Sequence, residues 1–172
     1  MDRRSFMKTG LMAAAGCVVS STGASSLSAA FAAEKAKVPV ALQVYSLRQY
    51  AQKDLRGTLK EIAQMGYKGV EFAGYYGHSA SDVRKWLDEA GLKAISTHLG
   101  VPSLLEGEFD KTAAFEKTLG NSRLIVASGL SASCATDAGN QMTAYLFNEI
   151  AYKASKVGMQ IGFHAHFNDF AD

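Results

Sequence analysis

The chain has 172 residues, of which 48% are hydrophobic and 20% charged, and its formal net charge is +2 at pH 7. This length suffices for one domain with a hydrophobic core. Three of the 18 basic and one of the 16 acidic residues lie in the first 32 positions, so residues 33–172 carry 15 of each. A chain that is neutral overall lacks the electrostatic surface of a general nucleic-acid binder, and we expect no nucleic-acid partner.

Residues 1–32 have the pattern of an export signal. The pair Arg3-Arg4 and a lysine precede an uncharged stretch rich in Ala, Gly and Ser, and a small-x-small cleavage site, AFA, follows at residues 30–32. The arginine pair resembles the twin-arginine signal. The sequence therefore predicts a signal peptide over residues 1–32, one domain over residues 33–172, and a periplasmic or secreted location.

Two other interpretations of the signal concern the membrane. A transmembrane anchor is disfavoured because the uncharged stretch has many Ser and Gly residues and few Leu, Ile or Val residues. Lipidation at Cys17 remains open, although Ala14 stands where a larger aliphatic residue is expected. We expect the membrane to matter only for export. Removal of the signal leaves Cys134 as the only cysteine, which excludes an intrachain disulfide.

Short apolar runs of strand length alternate with amphipathic segments of helix length after residue 37. The predicted strands cover residues 40–45, 68–72, 93–98, 123–128 and 160–164. The intervening helices are predicted to begin at the N-caps Asp54 and Ser79, near residue 110 and near residue 141. Each helix is predicted to end at a glycine, at positions 66, 91, 120 and 158.

Strands and helices that alternate in this way form right-handed βαβ units, whose strands pair in parallel. The strands read as continuous apolar runs, as expected for strands that are buried on both faces. The predicted fold class is α/β: a partial (β/α)8 TIM barrel with about five parallel strands and four intervening helices. A doubly wound open sheet is the alternative, but it usually has a glycine-rich turn after the first strand, where this chain has YSLRQ.

Polar residues lie at the carboxyl ends of the predicted strands, where parallel α/β folds place their catalytic and ligand-binding residues. Glu71 ends the second strand, and this position favours a functional carboxylate over a solvated loop carboxylate. His98 ends the third strand and is either a site residue or a hydrogen-bonded core histidine. Ser128 ends the fourth strand, but the sequence around it lacks the G-x-S-x-G turn of a nucleophile.

Two histidines, His164 and His166, end the fifth strand. Residues i and i+2 of a strand project to the same face, so both imidazoles can converge on one metal ion or on one substrate, and both possibilities remain open. Asp169 can add a carboxylate just beyond them. His78 lies in a polar loop and is expected at the surface or rim, and Cys134 is expected to be inert.

Three segments resemble motifs of one family. LQVYSLR at residues 42–48 is similar to the opening strand, LQLYSLR, of the sugar phosphate isomerase/epimerases. GYKGVEF at residues 66–72 resembles their second strand, and GFHAHFNDF at residues 162–170 is similar to their fifth-strand motif, GYHNHDFEF. The resemblance covers nearly all of residues 38–172 and implies a xylose isomerase-like TIM barrel.

The resemblance implies an isomerase or epimerase that acts on a small carbohydrate, either a sugar or a sugar phosphate. Such enzymes remove a proton next to a carbonyl through an enediolate, while a divalent metal (Mn, Zn, Mg or Co) polarises the oxygens and carboxylates move the proton. The resemblance assigns six site residues by position: catalytic Glu71; substrate-binding Tyr45, His98 and His164; and metal-binding His166 and Asp169.

Two departures from the family pattern bear on activity. Asp169 replaces the glutamate that is usual in the fifth-strand motif, and the metal ligands of strands six to eight have no counterpart. A complete barrel typically needs ~250 residues. We therefore expect the amino-terminal portion of such an enzyme, with weak metal binding. Because five parallel strands cannot close, we also expect an exposed strand edge that favours self-association.

Two other functions compete with the isomerase. The apurinic endonucleases share the fold, but a neutral chain with four histidines in all disfavours a multi-zinc DNA repair enzyme. A non-catalytic, exported carbohydrate-binding module is the remaining alternative. Metal analysis, together with proton exchange at the carbon next to a sugar carbonyl, would separate an enzyme from a binder.

Overall fold

A computed structural model describes residues 38–128 and 136–166 of the chain. The predicted signal peptide, Cys134 and Asp169 lie outside these residues. Over the part that is described, no helix combines the length and the hydrophobicity needed to cross a membrane.

The described chain contains five strands and five α-helices; one helix separates each pair of successive strands, except that two helices lie between the first and second strands. The strands are β1 (Ala41–Gln43), β2 (Gly69–Phe72), β3 (Lys93–Gly100), β4 (Arg123–Ser128) and β5 (Gln160–Phe163). The helices are α1 (Arg48–Ala51), α2 (Leu55–Gln64), α3 (Ala80–Ala90), α4 (Phe109–Thr118) and α5 (Asp137–Lys156), and 3-10 helices follow β1 and β3 at Val44–Leu47 and Val101–Leu104. The predicted fold class is confirmed, and the one-turn helix α1 is added to the four predicted helices.

The five strands stand side by side in chain order, and every neighbouring pair is parallel. A doubly wound sheet reverses its strand order at a switch point, whereas a barrel wall adds each strand to the same side of the last. The observed order is that of a barrel wall. The carboxyl ends of all five strands consequently lie at one edge of the sheet.

The helices cover one face of the sheet and bury its apolar side chains. Val70 and Phe72 of β2 are fully buried in a cluster with Leu59 of α2, and Leu124 of β4 is buried in a second cluster with Phe109 of α4. Burial of each such side chain contributes roughly 1.5–3 kcal/mol. Because side chains alternate along a strand, the residues between these apolar positions project to the opposite face, away from the helices.

The helix ends follow the predicted capping residues. The side chain of Asp54 accepts a hydrogen bond from the Gly57 backbone at 2.8 Å, and the side chain of Ser79 accepts one from the Asp82 backbone at 3.2 Å. The glycines predicted to end the helices all have positive φ: Gly66, Gly91, Gly120 and Gly158. These capping residues and glycines therefore determine where the helices that pack on the sheet begin and end.

Gly91 ends α3 in the left-handed region, with φ 66° and ψ 26°. This conformation costs a residue with a Cβ atom about 1 kcal/mol or more. We expect Gly91→Ala to lower the free energy of unfolding by about 1 kcal/mol in urea denaturation. Gly91→Asn is the matched control, because asparagine tolerates this region better, and it should be less destabilising. Equal destabilisation by both substitutions would contradict the explanation.

The described sheet is open at both edges, β1 and β5. Val40, next to β1, is 60% exposed, and Phe163 at the end of β5 is 48% exposed. Exposed apolar residues beside unpaired strand edges are a surface on which another chain can add. Self-association through the open edge at β1 or β5 stays a prediction.

Candidate active site

Glu71, His98 and His164 converge on the face of the sheet that the helices leave uncovered. Glu71 stands between Val70 and Phe72, which are buried against the helices, so its side chain projects to the other face. The Nε2 atom of His98 lies 3.0 Å from a Glu71 carboxylate oxygen. The ring centroids of His98 and His164 are 4.7 Å apart. The three residues therefore share one rim, as the strand-end positions predicted.

Three donors surround the carboxylate of Glu71. The amide of Gln43 on β1 donates to Oε1 at 2.7 Å, and the hydroxyl of Ser96 on β3 donates to Oε2. His98 approaches Oε1 at 3.0 Å, so a proton on its Nε2 atom is directed at the same oxygen. Donors on both oxygens fix the orientation of the carboxylate before any substrate binds.

Burial of His98 at the rim favours its neutral form. Burial lowers the pKa of His98, the Glu71 carboxylate opposes this change, and the neighbouring His164 adds to the lowering. The His98 side chain is 12% exposed and also lies 3.1 Å from the Gln43 amide nitrogen. His98 is therefore hydrogen-bonded within the protein and also faces the cavity described next, and its role in binding substrate stays a prediction.

A cavity of about 330 Å³ opens above these side chains, within the size range of small-molecule sites. Its wall is built from the strand ends and the segments that follow them. The polar residues that line it are Gln43, Tyr45, His98, His164 and His166. Glu71 does not itself line the cavity, but its carboxylate contacts two residues that do, Gln43 and His98.

His164 and His166 follow β5 and stay together at the cavity. The His164 backbone N–H donates to the Val126 carbonyl at 2.9 Å, which extends the parallel pairing one residue beyond the strand. The two rings are 4.8 Å apart and meet edge to face. Within residues 38–128 and 136–166, no three His, Cys, Asp or Glu side chains converge closely enough to hold a metal ion. Metal ligation by His166 and Asp169 stays a prediction.

Tyr45 reaches the cavity from a turn and not from a strand. The predicted first strand extended to residue 45, but β1 ends at Gln43 because the chain turns into a 3-10 helix, Val44–Leu47. Val44 is fully buried in the apolar core, and Tyr45 next to it is 53% exposed. The turn therefore directs the Tyr45 ring outward at the rim, where it lines the cavity.

The comparisons with known proteins agree with this geometry. A sugar phosphate isomerase/epimerase from Parabacteroides distasonis matches with a TM-score of 0.58 and 25% identity, over 81% of this chain and 55% of that chain. A xylose isomerase domain containing protein from Salmonella typhimurium matches with a TM-score of 0.54 and 12% identity, over 72% of this chain and 47% of that one. The predicted resemblance is confirmed.

A third TIM barrel of this kind, an AP endonuclease of family 2 from Brucella melitensis, matches with a TM-score of 0.52 and 18% identity, over 63% of this chain and 48% of that chain. The chain thus spans about half the length of the solved structures that it matches. No family model matches the sequence, and no curated protein matches it. The solved structures therefore support the fold, and the rim is described by its own side chains.

Two residues of the rim were not predicted from the sequence, Gln43 and Ser96. Gln43 gave a usable signal, because it is a polar residue within an apolar strand. Ser96 also gave one, because it lies two residues before His98 on β3 and so projects to the same face. The register between β2 and β3 slips by one residue, so Val70 pairs with Ala94 but Glu71 pairs with Ser96. Alternation along a strand does not predict this slip, which sets Ser96 opposite the carboxylate.

His78 lies apart from this rim cluster. Its ring meets the edge of Trp86 on α3, with centroids 4.8 Å apart, and it does not line the cavity. This agrees with the expected surface or rim position. Ser128 is the last residue of β4 and pairs with Gly100.

Proposed function

We propose that the chain carries the sugar-binding rim and the proton-transfer carboxylate of a sugar or sugar-phosphate isomerase/epimerase. The observation that carries this proposal is the environment of Glu71. Its carboxylate lies at the carboxyl end of a barrel strand, accepts hydrogen bonds on both oxygens, and stands beside His98, whose imidazole lines a cavity of about 330 Å³. Structural positions for apolar packing do not require such a cluster.

In this proposal Glu71 acts as the general base. It takes the proton from the carbon next to the sugar carbonyl; return of the proton to the neighbouring carbon, with transfer of a hydroxyl proton between the two oxygens, gives isomerisation. Epimerisation would need a second acid that delivers a proton to the opposite face of the first carbon. Gln43 and Ser96 hold the carboxylate in one orientation. His98 and His164 line the approach and present imidazole nitrogens to the substrate hydroxyls.

A divalent metal, Mn, Zn, Mg or Co, is part of the proposal by resemblance alone. The proposed ligands are His166 and Asp169, whose imidazole and carboxylate suit such ions. The described side chains do not by themselves form a set of three ligands. We therefore assign no step of proton transfer to the metal, and the base chemistry of Glu71 stands without it.

Export is the second part of the proposal. Residues 1–32 supply the twin-arginine-type signal, which would place the domain in the periplasm or outside the cell. The expected partner there is a small carbohydrate. Nucleic acid is not an expected partner, because residues 33–172 carry equal numbers of basic and acidic residues.

The proposed function is tested by proton exchange in D2O. The purified chain is incubated with a panel of ketoses, aldoses and their phosphates, with and without Mn²⁺, and deuterium at the carbon next to the carbonyl is followed by NMR. We expect incorporation well above the rate of the sugar alone. Sugar binding without exchange would favour the carbohydrate-binding module, and the absence of both binding and exchange would contradict the proposal.

A further inference from the structure

The two ring nitrogens of His98 have different surroundings. Nε2 lies 3.0 Å from Oε1 of Glu71, a hydrogen-bond acceptor, and 3.1 Å from the amide nitrogen of Gln43, a hydrogen-bond donor. Within the described part of the chain, Nδ1 has one hydrogen-bond partner in reach, the same amide nitrogen at 3.5 Å. Since His98 lines the cavity, Nδ1 is the ring nitrogen that remains for a ligand there.

The surroundings of Nε2 satisfy both neutral tautomers of the His98 ring. With the proton on Nε2, the ring donates to Glu71, and Nδ1 can accept from a ligand. With the proton on Nδ1, Nε2 accepts from the Gln43 amide, and Nδ1 can donate to a ligand. The amide nitrogen of Gln43 is held on this side because it also donates to Glu71 at 2.7 Å, where the amide oxygen would be repelled. Neither tautomer is therefore fixed by the protein.

The neutral ring is the form in which two tautomers exist. The His98 side chain is mostly buried, and burial lowers its pKa; the Glu71 carboxylate opposes this change, and His164 adds to the lowering. A neutral imidazole has one donor and one acceptor nitrogen. It can therefore take up a proton at one nitrogen while it gives one up at the other, without becoming charged.

The proposed isomerisation requires a second proton transfer, at the oxygens. After Glu71 has taken the proton from carbon, a hydroxyl proton must pass between the two oxygens of the enediolate before the neighbouring carbon can be protonated. Glu71 does not line the cavity, whereas His98 lines it and contacts the Glu71 carboxylate. His98 is therefore placed between the base and the oxygens of a bound sugar.

We propose that His98 moves this hydroxyl proton by alternating between its two neutral tautomers, with Glu71 and Gln43 as its partners at Nε2. This inference rests on the proposed function and adds a second catalytic residue to it. Gln43 is a positioning residue in this scheme, because it acts on the substrate only through the imidazole and the carboxylate.

The protons balance over one conversion of an aldose to a ketose. Glu71 takes the proton of the carbon next to the aldehyde; its carboxyl group passes a proton to Nε2 of His98 while Nδ1 gives one to the aldehyde oxygen, which leaves a neutral enediol. Nδ1 then takes the proton of the second oxygen while Nε2 returns one to Glu71. The carboxyl group finally protonates the former aldehyde carbon, and the ring regains its first tautomer without any oxidant or reductant.

The test measures how the intermediate partitions between the two sugars. The full chain is incubated in D2O with D-glucose, D-xylose or D-glucose 6-phosphate, and NMR gives the ketose formed and the deuterium next to the carbonyl of the remaining aldose. The ratio of these two quantities does not depend on the folded fraction of a variant. His98→Gln keeps an amide that can donate to Glu71 but cannot exchange tautomers, and His78→Gln is the matched control outside the cavity.

We expect His98→Gln to lower the ratio of ketose to deuterated aldose by at least about tenfold, because the intermediate can still return to the aldose. His78→Gln should leave the ratio unchanged. An unchanged ratio in His98→Gln, or deuterium without ketose in wild type, would overturn the inference and leave Glu71 as the base. Absence of both ketose and deuterium in wild type would instead contradict the proposed function, and the inference with it.

A second measurement needs no sugar. The nitrogen NMR shifts of the His98 ring distinguish the two tautomers, and wild type should give values between the two limits. Gln43→Met, which removes the donor at Nε2 and keeps the size of the side chain, should move the shifts toward the tautomer with its proton on Nε2. A single fixed tautomer in wild type would overturn the inference even where isomerisation is observed.

Discussion

Glu71→Gln should reduce deuterium exchange next to the sugar carbonyl by at least about a hundredfold, which is the lower end of what a positioned general base contributes. Glutamine has the size of glutamate but no basic oxygen, so the substitution removes the proton acceptor and little else. Sugar affinity, measured by titration calorimetry, should change much less than the exchange rate, because the residues that line the cavity keep their places.

The fold should tolerate this substitution because the neighbours of Glu71 can adapt to an amide. Its Oε1 position can still accept from Gln43 and His98, and the hydroxyl of Ser96 can turn to accept a hydrogen bond from the new amide N–H. Ser96→Ala is the matched control, since it removes one donor and keeps the base, and we expect a loss of about tenfold or less. Exchange by Glu71→Gln at the rate of wild type would exclude Glu71 as the base.

The sequence predicts those parts of the fold that depend on local signals. β4 begins and ends where the apolar run predicted it, at Arg123 and Ser128. Asp54 and Ser79 cap their helices, because a capping side chain bonds to an N–H group only three residues away. The strand-end position of Glu71 is equally local once the sheet is parallel, because all carboxyl ends then share one edge.

The contacts that complete the site depend on partners far apart in the chain. Gln43 and Glu71 are 28 residues apart, and Gln43 and His98 are 55 apart. Their distances follow from strand order, register and the slip that brings Ser96 opposite Glu71. Hydrophobic periodicity fixes which face a side chain takes, but it does not fix a register slip of one residue.

The burial of Glu116 in the core is another feature that the local sequence pattern does not predict. A glutamate in an amphipathic helix is expected at the surface, because charged residues are almost never fully buried without partners. Glu116 on α4 is nevertheless only 1% exposed. It accepts hydrogen bonds from the Tyr75 hydroxyl at 2.7 Å and from the Asn121 amide at 2.8 Å, and Tyr75 also contacts Thr97 on β3. This buried cluster anchors the loop that follows β2, the strand of Glu71.

Glu116→Ala should lower the free energy of unfolding by about 3 kcal/mol, because it leaves the Tyr75 hydroxyl and the Asn121 amide buried with fewer partners and opens a cavity. Glu116→Gln should cost less than about 1 kcal/mol. Its amide oxygen can accept from Asn121, its amide nitrogen can donate to the Tyr75 oxygen, and the Tyr75 hydroxyl can then donate to Thr97. Urea denaturation at neutral pH measures both variants.

The contribution of Glu116 to the free energy of unfolding is also expected to depend on pH. Burial raises the pKa of Glu116 above its ordinary value of 4.5, and the hydrogen bonds from Asn121 and Tyr75 oppose this rise. The folded protein therefore keeps a proton that the unfolded chain has already released, so this group's contribution to stability is fully present below pH 4.5. It is lost as the pH rises through the raised folded value. Glu116→Gln has no such proton to lose.

The stability of Glu116→Gln relative to wild type should consequently increase with pH over that window and stay constant above and below it. Glu61→Gln is the control, because Glu61 on α2 is exposed and takes no part in the buried cluster. A flat difference for Glu116→Gln would mean that the folded protein holds the charge of this carboxylate without cost. The Tyr75 and Asn121 hydrogen bonds would then balance the effect of burial, and the loss in Glu116→Ala would reflect a missing charged acceptor instead of a missing neutral one.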